Sequence, residues 1–462
     1  MINILDLSFK DEKHNLKELE KFKRFLKNIS NKYIDLNCNN LAITIFKLFL
    51  NYPKNFFFIS KTIFLKLPFN LLSQIPKTFK PKDKYFSFIQ DTIIDGIERS
   101  TGDVREKKEL NSFINKYIIS FFLRAVNIIY LLEIISIYIK LESINIITLQ
   151  QMSGFPFGGI SSFCEKKGIL MCTCSIQIRP FDNNSSNLNF LISRNIINDR
   201  FPFPHDLKKL SLISDSLLDK YLSRVKTDFI LKRDPISNPN YIKKFYEKHN
   251  PKDLNYFKNI FKNKKKNGIV LIHLLTDCPR KRCEEIWINN YLEWLNETIR
   301  HCKNNKELNW FFKAHPFSAN YPIMEKHSRN IEKNITESGF FFIKAEESFL
   351  HEDVAKLASV VVTCHGTCKL EYPALYRIPV ISCYAQKELS YDPLSLPFTA
   401  KDSKEYELLI KIAHKLEVSD IDYRKAKELL VFSKLLSGQS AYKDLRLNKH
   451  IDSNKKEVMR NY

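Results

Sequence analysis

One segment in the last third of the chain carries side chains that could bind a phosphate group. His365, Gly366 and Thr367 follow a short apolar run and precede a predicted helix. A glycine in a strand-to-helix turn lets the backbone approach a ligand, and the free N–H groups of the following helix attract an anion. Thr367 would either cap that helix or bond a phosphate oxygen. Glu371, one helical turn further on, would either bind a diol such as ribose or lie on the surface.

Two further segments place titratable side chains at the ends of predicted strands. His315 precedes a proline, which biases its backbone toward an extended conformation. Its imidazole could donate to a phosphate or sugar oxygen, or act as an acid or base near neutral pH. Lys313 is either a second cation for the same anion or a solvated lysine, and Asp277 is either a general base or a cap. We expect His315 and Asp277 to be the catalytic residues.

Glycine is scarce in this chain, so its positions are informative. There are only 10 glycines among 462 residues, and a cluster of them begins at Gly154. Gly154, Gly158 and Gly159 lie between a predicted strand and a predicted helix, with a spacing that matches neither a dinucleotide fingerprint nor a phosphate loop. This loop would either let an acceptor approach the backbone or make a plain tight connection.

The elements that must position these residues alternate between strand and helix. Apolar runs predict strands over 144–149, 169–176, 268–275, 310–313, 340–343, 359–363 and 378–382, and helical spacing predicts helices over 105–142, 160–167, 283–302, 321–337 and 349–357. In the second half this order predicts a doubly wound parallel sheet. Ligands bind outside the carboxyl ends of such strands, so we expect Asp277, His315 and His365 at one edge.

Composition along the chain predicts two domains joined by a linker. We assign residues 1–235 to an N-terminal Rossmann-like domain with a helical N-terminal extension. The linker is 236–267, where prolines and a run of lysines occur. Residues 268–418 form the C-terminal Rossmann-like domain, and 419–462 form helices and a tail. The polar stretch 183–206 is predicted to be a loop.

Charge and cysteine content limit the partners and the compartment. The chain has 73 Lys and Arg against 51 Asp and Glu, a net charge of +22. This excess attracts nucleic acid, acidic lipid or anionic substrates, although the abundance of Lys, Asn and Ile throughout also fits a compositional bias. The 10 scattered cysteines form no zinc ligand set, so we expect no metal site. Early charged residues interrupt a signal peptide and 118–139 fits a buried helix better than a membrane span, so we expect a cytoplasmic protein.

Several motifs of the second half occur together in one known family. They are Lys313-Ala-His-Pro316, Asp353–Ser359, Val361–Thr367 with Glu371, and Ile378–Ile381. This set resembles GT-B glycosyltransferases of bacterial surface polysaccharide synthesis, in particular the capsule proteins that include Kdo- and sialic-acid-transferring enzymes. The resemblance covers residues 85–415. It implies two Rossmann-like domains facing a central cleft, with a nucleotide-sugar donor on the C-terminal domain and an acceptor on the N-terminal domain.

The resemblance also implies roles for individual residues. His315 would contact the donor phosphate or assist the leaving group. The donor would be CMP-, UDP- or GDP-linked and held by Lys313, His365, Gly366, Thr367 and Glu371, the last of these on the ribose. The pair Asp420 and Asp422 lies beyond the last predicted strand, so we expect transfer without a metal or other cofactor. One departure from the family pattern is Arg377, which stands where a glycine is common.

We expect the protein to transfer a sugar to a growing capsule or lipopolysaccharide at the inner face of an anionic membrane. Three other functions remain open. Transfer of a polyol phosphate, as in teichoic-acid polymerases, also uses two Rossmann domains and histidines. A nucleic-acid-binding protein would explain the charge, but the charge is dispersed rather than gathered with aromatic residues in a known module, so we expect no nucleic acid. A non-catalytic protein that docks on membranes would explain the charge but not the turn at 365–367.

Overall fold

The computed structural model of the chain describes two compact units, each with its own sheet. The first unit comprises Met1–Ile97, Asn111–Asp199 and Gly438–Tyr462, and the second comprises Glu98–Leu110 and Arg200–Ser437. The described residues are 3–7, 27, 30, 32–35, 48–144, 146–149, 155–176, 188–193, 214–226, 254–260, 265–276, 287–315, 325–347, 351–364, 368–383 and 397–431.

Strands and helices alternate along most of the described chain. The strands are β1 (Asn3–Asp6), β2 (Lys32–Asp35), β3 (Ile146–Leu149), β4 (Leu170–Ile176), β5 (Leu188–Ser193), β6 (Lys266–Leu271), β7 (Leu308–Lys313), β8 (Phe341–Ile343), β9 (Val360–Val362), β10 (Val380–Cys383) and β11 (Thr399–Ala400). The α-helices are α1 (Phe56–Ser60), α2 (Leu67–Phe79), α3 (Lys84–Thr101), α4 (Leu110–Lys116), α5 (Ile118–Glu142), α6 (Phe157–Lys167), α7 (Asp215–Val225), α8 (Leu254–Lys258), α9 (Tyr291–Asn304), α10 (Glu325–Glu337), α11 (His351–Leu357), α12 (Cys368–Tyr376), α13 (Ser403–Lys411) and α14 (Asp420–Val431). A π-helical stretch, Lys61–Lys66, joins α1 to α2, and 3-10 turns cover Pro53–Asn55, Lys107–Glu109, Ala345–Glu347 and Ala413–Lys415.

The first unit contains a five-stranded sheet in the order β2-β1-β3-β4-β5, parallel except for β5. The N-terminal segment, predicted to be a helical extension, therefore supplies β1 and β2. Both strands begin and end with a polar or charged residue, so neither contains the continuous apolar run that marked the predicted strands. The predicted loop at 183–206 contains β5, which pairs antiparallel with β4 at the edge of the sheet. An edge strand does not need the continuous apolar run of a strand buried on both faces.

Among the described residues of this unit, two helical stretches are long and apolar enough to cross a membrane by length and composition, Pro53–Phe79 and Ile118–Glu142. The second is α5, and most of its later turns are packed inside the unit, for example at Ile128, Leu132 and Ile135. The helix predicted over 105–142 is divided instead into the turn Lys107–Glu109, α4 and α5.

The second unit contains a six-stranded, fully parallel sheet in the order β11-β10-β9-β6-β7-β8. Numbered from β6, this is the order 6-5-4-1-2-3 of a Rossmann domain. One face packs on α9, α10 and α13 around Trp294 and Trp310, and the other on α8, α11 and α12 around Phe311 and Tyr372. The structure thus confirms the predicted α/β class with doubly wound parallel sheets.

The start of one helix and the limits of the second unit differ from the sequence-based predictions. Helix α9 begins at Tyr291 rather than at 283, because the Asn290 side chain accepts from the backbone N–H of Glu293 and caps the helix. Helix α7, which lies within the range 1–235 assigned above to the N-terminal domain, groups with the second unit. There α7 packs on α14, and Lys427 Nζ donates to Asp219 at 2.7 Å. The proposed linker 236–267 includes α8 and the start of β6.

Candidate functional site

The carboxyl edge of the C-terminal sheet is where its topology places a ligand. Strands β6 and β9 are neighbours, and the chain leaves them toward opposite faces of the sheet. Helix α9, after β6, packs on one face, and α12, after β9, packs on the other. In doubly wound sheets, ligands bind outside the strand ends at such a point of reversal. The side chains that follow β6, β7 and β9 therefore form the candidate site.

His273 and Thr363 join the ends of β6 and β9. His273 Nε2 lies 3.1 Å from Thr363 Oγ1, and Thr363 is buried. The imidazole stacks on Tyr291 with 4.5 Å between ring centroids and lies T-shaped against Trp294 at 5.9 Å. Two aromatic rings and a polar contact hold this histidine in one orientation. Sequence reasoning gave His273 no role, although a titratable residue within an apolar run is a signal that could have marked it.

Lys313 ends β7, the strand next to β6. It pairs in register with Leu271, and its backbone oxygen accepts from the N–H of Ile272 at 2.9 Å. Lys313 is only 8% exposed, so it is a buried lysine rather than a solvated one. It lies two residues after Phe311 and therefore on the same face of the sheet, the face covered by α11 and α12. His315 follows two residues later and is half-buried.

Glu371 lies in the first turn of α12 and is only 3% exposed, so it is not a surface carboxylate. Its Oε2 lies 3.9 Å from Nε2 of His351, the first residue of α11. The His351 ring also packs against Tyr372, at 5.2 Å between centroids. Because α11 and α12 follow β8 and β9, both helices begin at the carboxyl edge of the sheet. Glu371 thus lies at the same edge as His273 and Lys313.

Three potential metal ligands meet beside this edge. His351, Cys368 and Glu371 each offer a ligand atom within 4.8 Å of the other two. A nitrogen, a sulfur and an oxygen suit zinc better than magnesium, which prefers oxygen ligands. These residues could hold one transition-metal ion. The expectation that the reaction needs no metal remains a prediction.

Five nominated residues lie outside the described part of the chain. They are Gly154, Asp277, His365, Gly366 and Thr367. Strand β9 ends at 362 and α12 begins at 368, so the segment 365–367 connects a strand to a helix. Its role as a phosphate-binding turn remains a prediction.

The first unit has its own point of reversal, between β1 and β3. Its strand order, 2-1-3-4-5, is that of flavodoxin-like domains, whose ligands bind where these two strands end. Asp6 is the last residue of β1 and is fully buried, and Thr148 of β3 donates a hydrogen bond to its carboxylate. Sequence reasoning did not nominate Asp6 for a site. A buried carboxylate at a strand end is a second candidate position for polar recognition.

Gly158 and Gly159 lie inside α6 rather than in the loop that the glycine cluster predicted. A Cβ at Gly158 would come within 2.5 Å of Thr92 Oγ1 in α3, and one at Gly159 would come within 2.2 Å of Ile128 Cδ1 in α5. Both glycines therefore permit close packing of helices. This packing places the start of α6 directly against α3 and α5.

A half-buried cation lies beside the start of α6. The Arg124 guanidinium lies 5.0 Å from the centre of the Phe155 ring, and burial lowers the pKa of Arg124. Gly96 leaves room for both groups, since an added Cβ would lie 2.8 Å from Phe155 Cβ and 3.0 Å from an Arg124 nitrogen. Arg124 is a polar group of the first unit that sequence reasoning did not nominate.

Known proteins resemble this chain only at low sequence identity and low TM-score. No protein-family model matches this chain, and none of the curated proteins matches it significantly. Among solved structures it is similar to a β-Kdo 2,4-transferase, KpsC, of Thermosulfurimonas dismutans, with 11% identity over 63% of this chain and 80% of that one and a TM-score of 0.33. It is also similar to MnaA of S. aureus solved with UDP (11% identity, 98% and 97% coverage, TM-score 0.30). The third is a UDP-forming α,α-trehalose-phosphate synthase of Burkholderia vietnamiensis (8% identity, 96% and 99% coverage, TM-score 0.33).

Proposed function

We propose that this protein is a glycosyltransferase that moves a sugar from a nucleotide-sugar donor to a growing surface polysaccharide, a capsule or a lipopolysaccharide. One observation carries the proposal. Polar side chains far apart in the sequence, His273, Lys313, Thr363 and Glu371, all lie at the carboxyl edge of a sheet with Rossmann strand order. That edge is where such sheets bind nucleotides.

The donor would lie along this edge. Helix α12 begins at this edge, and the positive end of its dipole would favour a bound phosphate there. Lys313 would add a positive charge that burial strengthens, because few waters screen it. Glu371 would accept hydrogen bonds from the ribose hydroxyls, as the family resemblance implies.

His315 would assist departure of the nucleotide. Cleavage of the bond between sugar and phosphate leaves negative charge on the phosphate. A hydrogen-bond donor that the protein holds in place stabilises that charge in the transition state. A histidine can supply a hydrogen bond or a proton near neutral pH. The positively charged surroundings that we propose for the leaving group would take over the part that a metal ion plays in other enzymes.

Donor binding can be tested without knowing the acceptor. Thermal shift of the full-length protein with CMP, UDP and GDP should raise the unfolding midpoint for one of them, because a ligand that binds only the folded state stabilises it. The variant Glu371→Gln should bind the same nucleotide more weakly. Unchanged midpoints with all three nucleotides would contradict the proposal.

His315 is the sharpest test of catalysis. His315→Ala should abolish sugar transfer and leave the unfolding midpoint unchanged. The control is His414→Ala, a half-buried histidine just beyond the C-terminal end of α13, which should transfer at the rate of the unsubstituted protein. Equal rates for His315→Ala and the unsubstituted protein would exclude the proposed role.

The choice of donor separates sugar transfer from polyol-phosphate transfer. Both reactions would use the same nucleotide edge, so binding alone does not distinguish them. Release of nucleotide should be measured with CMP-, UDP- and GDP-sugars and, in parallel, with nucleotide-activated glycerol. Turnover of the glycerol donor alone would replace our proposal with polyol-phosphate transfer.

A further inference from the structure

The helical stretch from Pro53 to Phe79 exposes an unusual amount of apolar surface. Its exposed apolar side chains are Phe56, Phe57, Phe58, Phe64, Leu65, Phe69 and Leu72. Phe57 is 86% exposed and Leu72 is 74% exposed. Only 17% of its most apolar 18-residue segment is buried inside the protein. An exposed aromatic surface of this kind marks an interaction site.

The first turns of α5 expose further apolar side chains beside the end of α2. Helix α2 packs on α5 through Phe79 and Phe121, with 4.6 Å between ring centroids. Asn70 of α2 also donates to Glu133 of α5 at 3.0 Å. Beside this contact, Ile119 is 74% exposed and Leu123 is 61% exposed. We call the exposed apolar residues of Pro53–Phe79 and of the first turns of α5 the aromatic face.

Positive charge surrounds the aromatic face. Exposed lysines occur at 54, 61, 66, 77, 80 and 82. There is no Asp or Glu between Asp35 and Asp83. Aromatic and aliphatic side chains interleaved with lysines, without acidic residues, are typical of helices that lie in the interface of an anionic membrane. The rings would enter the headgroup region while the lysines contact lipid phosphates.

We propose that the aromatic face docks this protein on the surface of an anionic phospholipid membrane. A span across the bilayer fits less well, because Lys61 and Lys66 would lie within the hydrocarbon and because Ile59, Ile63 and Leu67 pack inside the protein. A second copy of the chain fits less well too. A symmetric interface would place these lysines against one another. The membrane alone offers both an apolar layer and compensating negative charge.

This inference rests on the proposed function only for its purpose, which is to bring the site to a lipid-linked acceptor. The affinity for lipid depends on the aromatic face and on no substrate. The flotation experiment and the nucleotide thermal-shift experiment therefore test the two proposals separately. Lipid binding without nucleotide binding would exclude the transferase alone, and nucleotide binding without flotation would exclude the docking surface alone.

The experiment is flotation of the full-length protein with vesicles of phosphatidylglycerol and phosphatidylcholine, compared with phosphatidylcholine alone. The protein should float with the anionic vesicles only. Phe57→Ser/Phe69→Ser/Leu72→Ser should abolish flotation. Lys61→Gln/Lys66→Gln should lower the partition coefficient, by about fivefold for each lysine, and by less at high salt.

Matched controls lie in the second unit. Leu408→Ser/Ile421→Ser removes two exposed apolar side chains, and Lys401→Gln/Lys404→Gln removes two exposed lysines. Both control variants should float like the unsubstituted protein. The inference is overturned if the unsubstituted protein stays at the bottom with anionic vesicles, or if the controls lose as much binding as the aromatic-face variants. It is also overturned if light scattering shows a dimer that the triple serine variant dissociates, since the face would then join two copies.

Discussion

Arg377 adopts a backbone conformation that favours glycine, and substituting it gives a quantitative test of the structure. Its φ is 55°, in the left-handed region. Its side chain ties the end of α12 to Val418 and to the first turn of α14. Nε donates to the backbone oxygen of Val418 at 3.1 Å, one terminal nitrogen contacts Asp420 at 2.5 Å, and the guanidinium lies 5.4 Å from the Tyr423 ring centre. These contacts offset the strain of the backbone.

The backbone strain and the side-chain contacts of Arg377 together predict an order of stability for the unsubstituted protein, Arg377→Gly and Arg377→Ala. The left-handed conformation costs a residue with a Cβ about 1–2 kcal/mol, whereas glycine avoids this cost but loses about 0.5–1 kcal/mol more entropy on folding. The exposed ion pair contributes about 0.5 kcal/mol and the backbone hydrogen bond about 1 kcal/mol. Arg377→Ala should therefore destabilise by about 1.5 kcal/mol, and Arg377→Gly by about 1 kcal/mol or less.

Tryptophan fluorescence during urea unfolding is the assay. The three tryptophans of the chain, Trp287, Trp294 and Trp310, all lie in the second unit, so the signal follows the unit that contains Arg377. Arg377→Gly should have a higher urea midpoint than Arg377→Ala, and the dependence of the unfolding free energy on urea concentration should be unchanged. Arg424, inside α14, is the matched control, and there the order should reverse, because glycine is about 1 kcal/mol worse than alanine within a helix. A glycine variant of Arg377 less stable than the alanine variant would refute the strain argument.

Three further predictions concern packing, pH and metal. Gly268→Ala should destabilise the second unit by about 1–3 kcal/mol in the same urea assay, because the added Cβ would lie 2.4 Å from the buried Trp310 ring; a variant as stable as the unsubstituted protein would contradict this close approach. Burial lowers the pKa of His301, so the unfolded state binds its proton more readily; stability should fall as pH drops below about 6.5, and His301→Gln should flatten that fall. Chelation of metal, or Cys368→Ser, should leave nucleotide affinity and transfer unchanged, and a loss that zinc restores would assign the His351, Cys368 and Glu371 cluster to catalysis.

Much of the second unit could be predicted from local patterns. Strands β6 to β10 are apolar runs buried on both faces, so each is visible without knowledge of its neighbours. The order of strands and helices was enough to predict a parallel, doubly wound sheet. The same patterns missed β1, β2, β5 and β11, because polar residues interrupt or border these strands and break the continuous apolar run that marked the others.

The sequence by itself determined which residue types follow the strands of this protein, and local spacing nominated Lys313, His315 and Glu371 as candidates. Only the tertiary structure decided that Lys313 and Glu371 are buried, that His273 meets Thr363, and that Gly158 and Gly159 pack helices instead of forming a loop. His273 and Thr363 are 90 positions apart and meet because β6 pairs with β9. Local spacing records the period of one strand or helix, whereas strand order and burial depend on distant segments that pack against it.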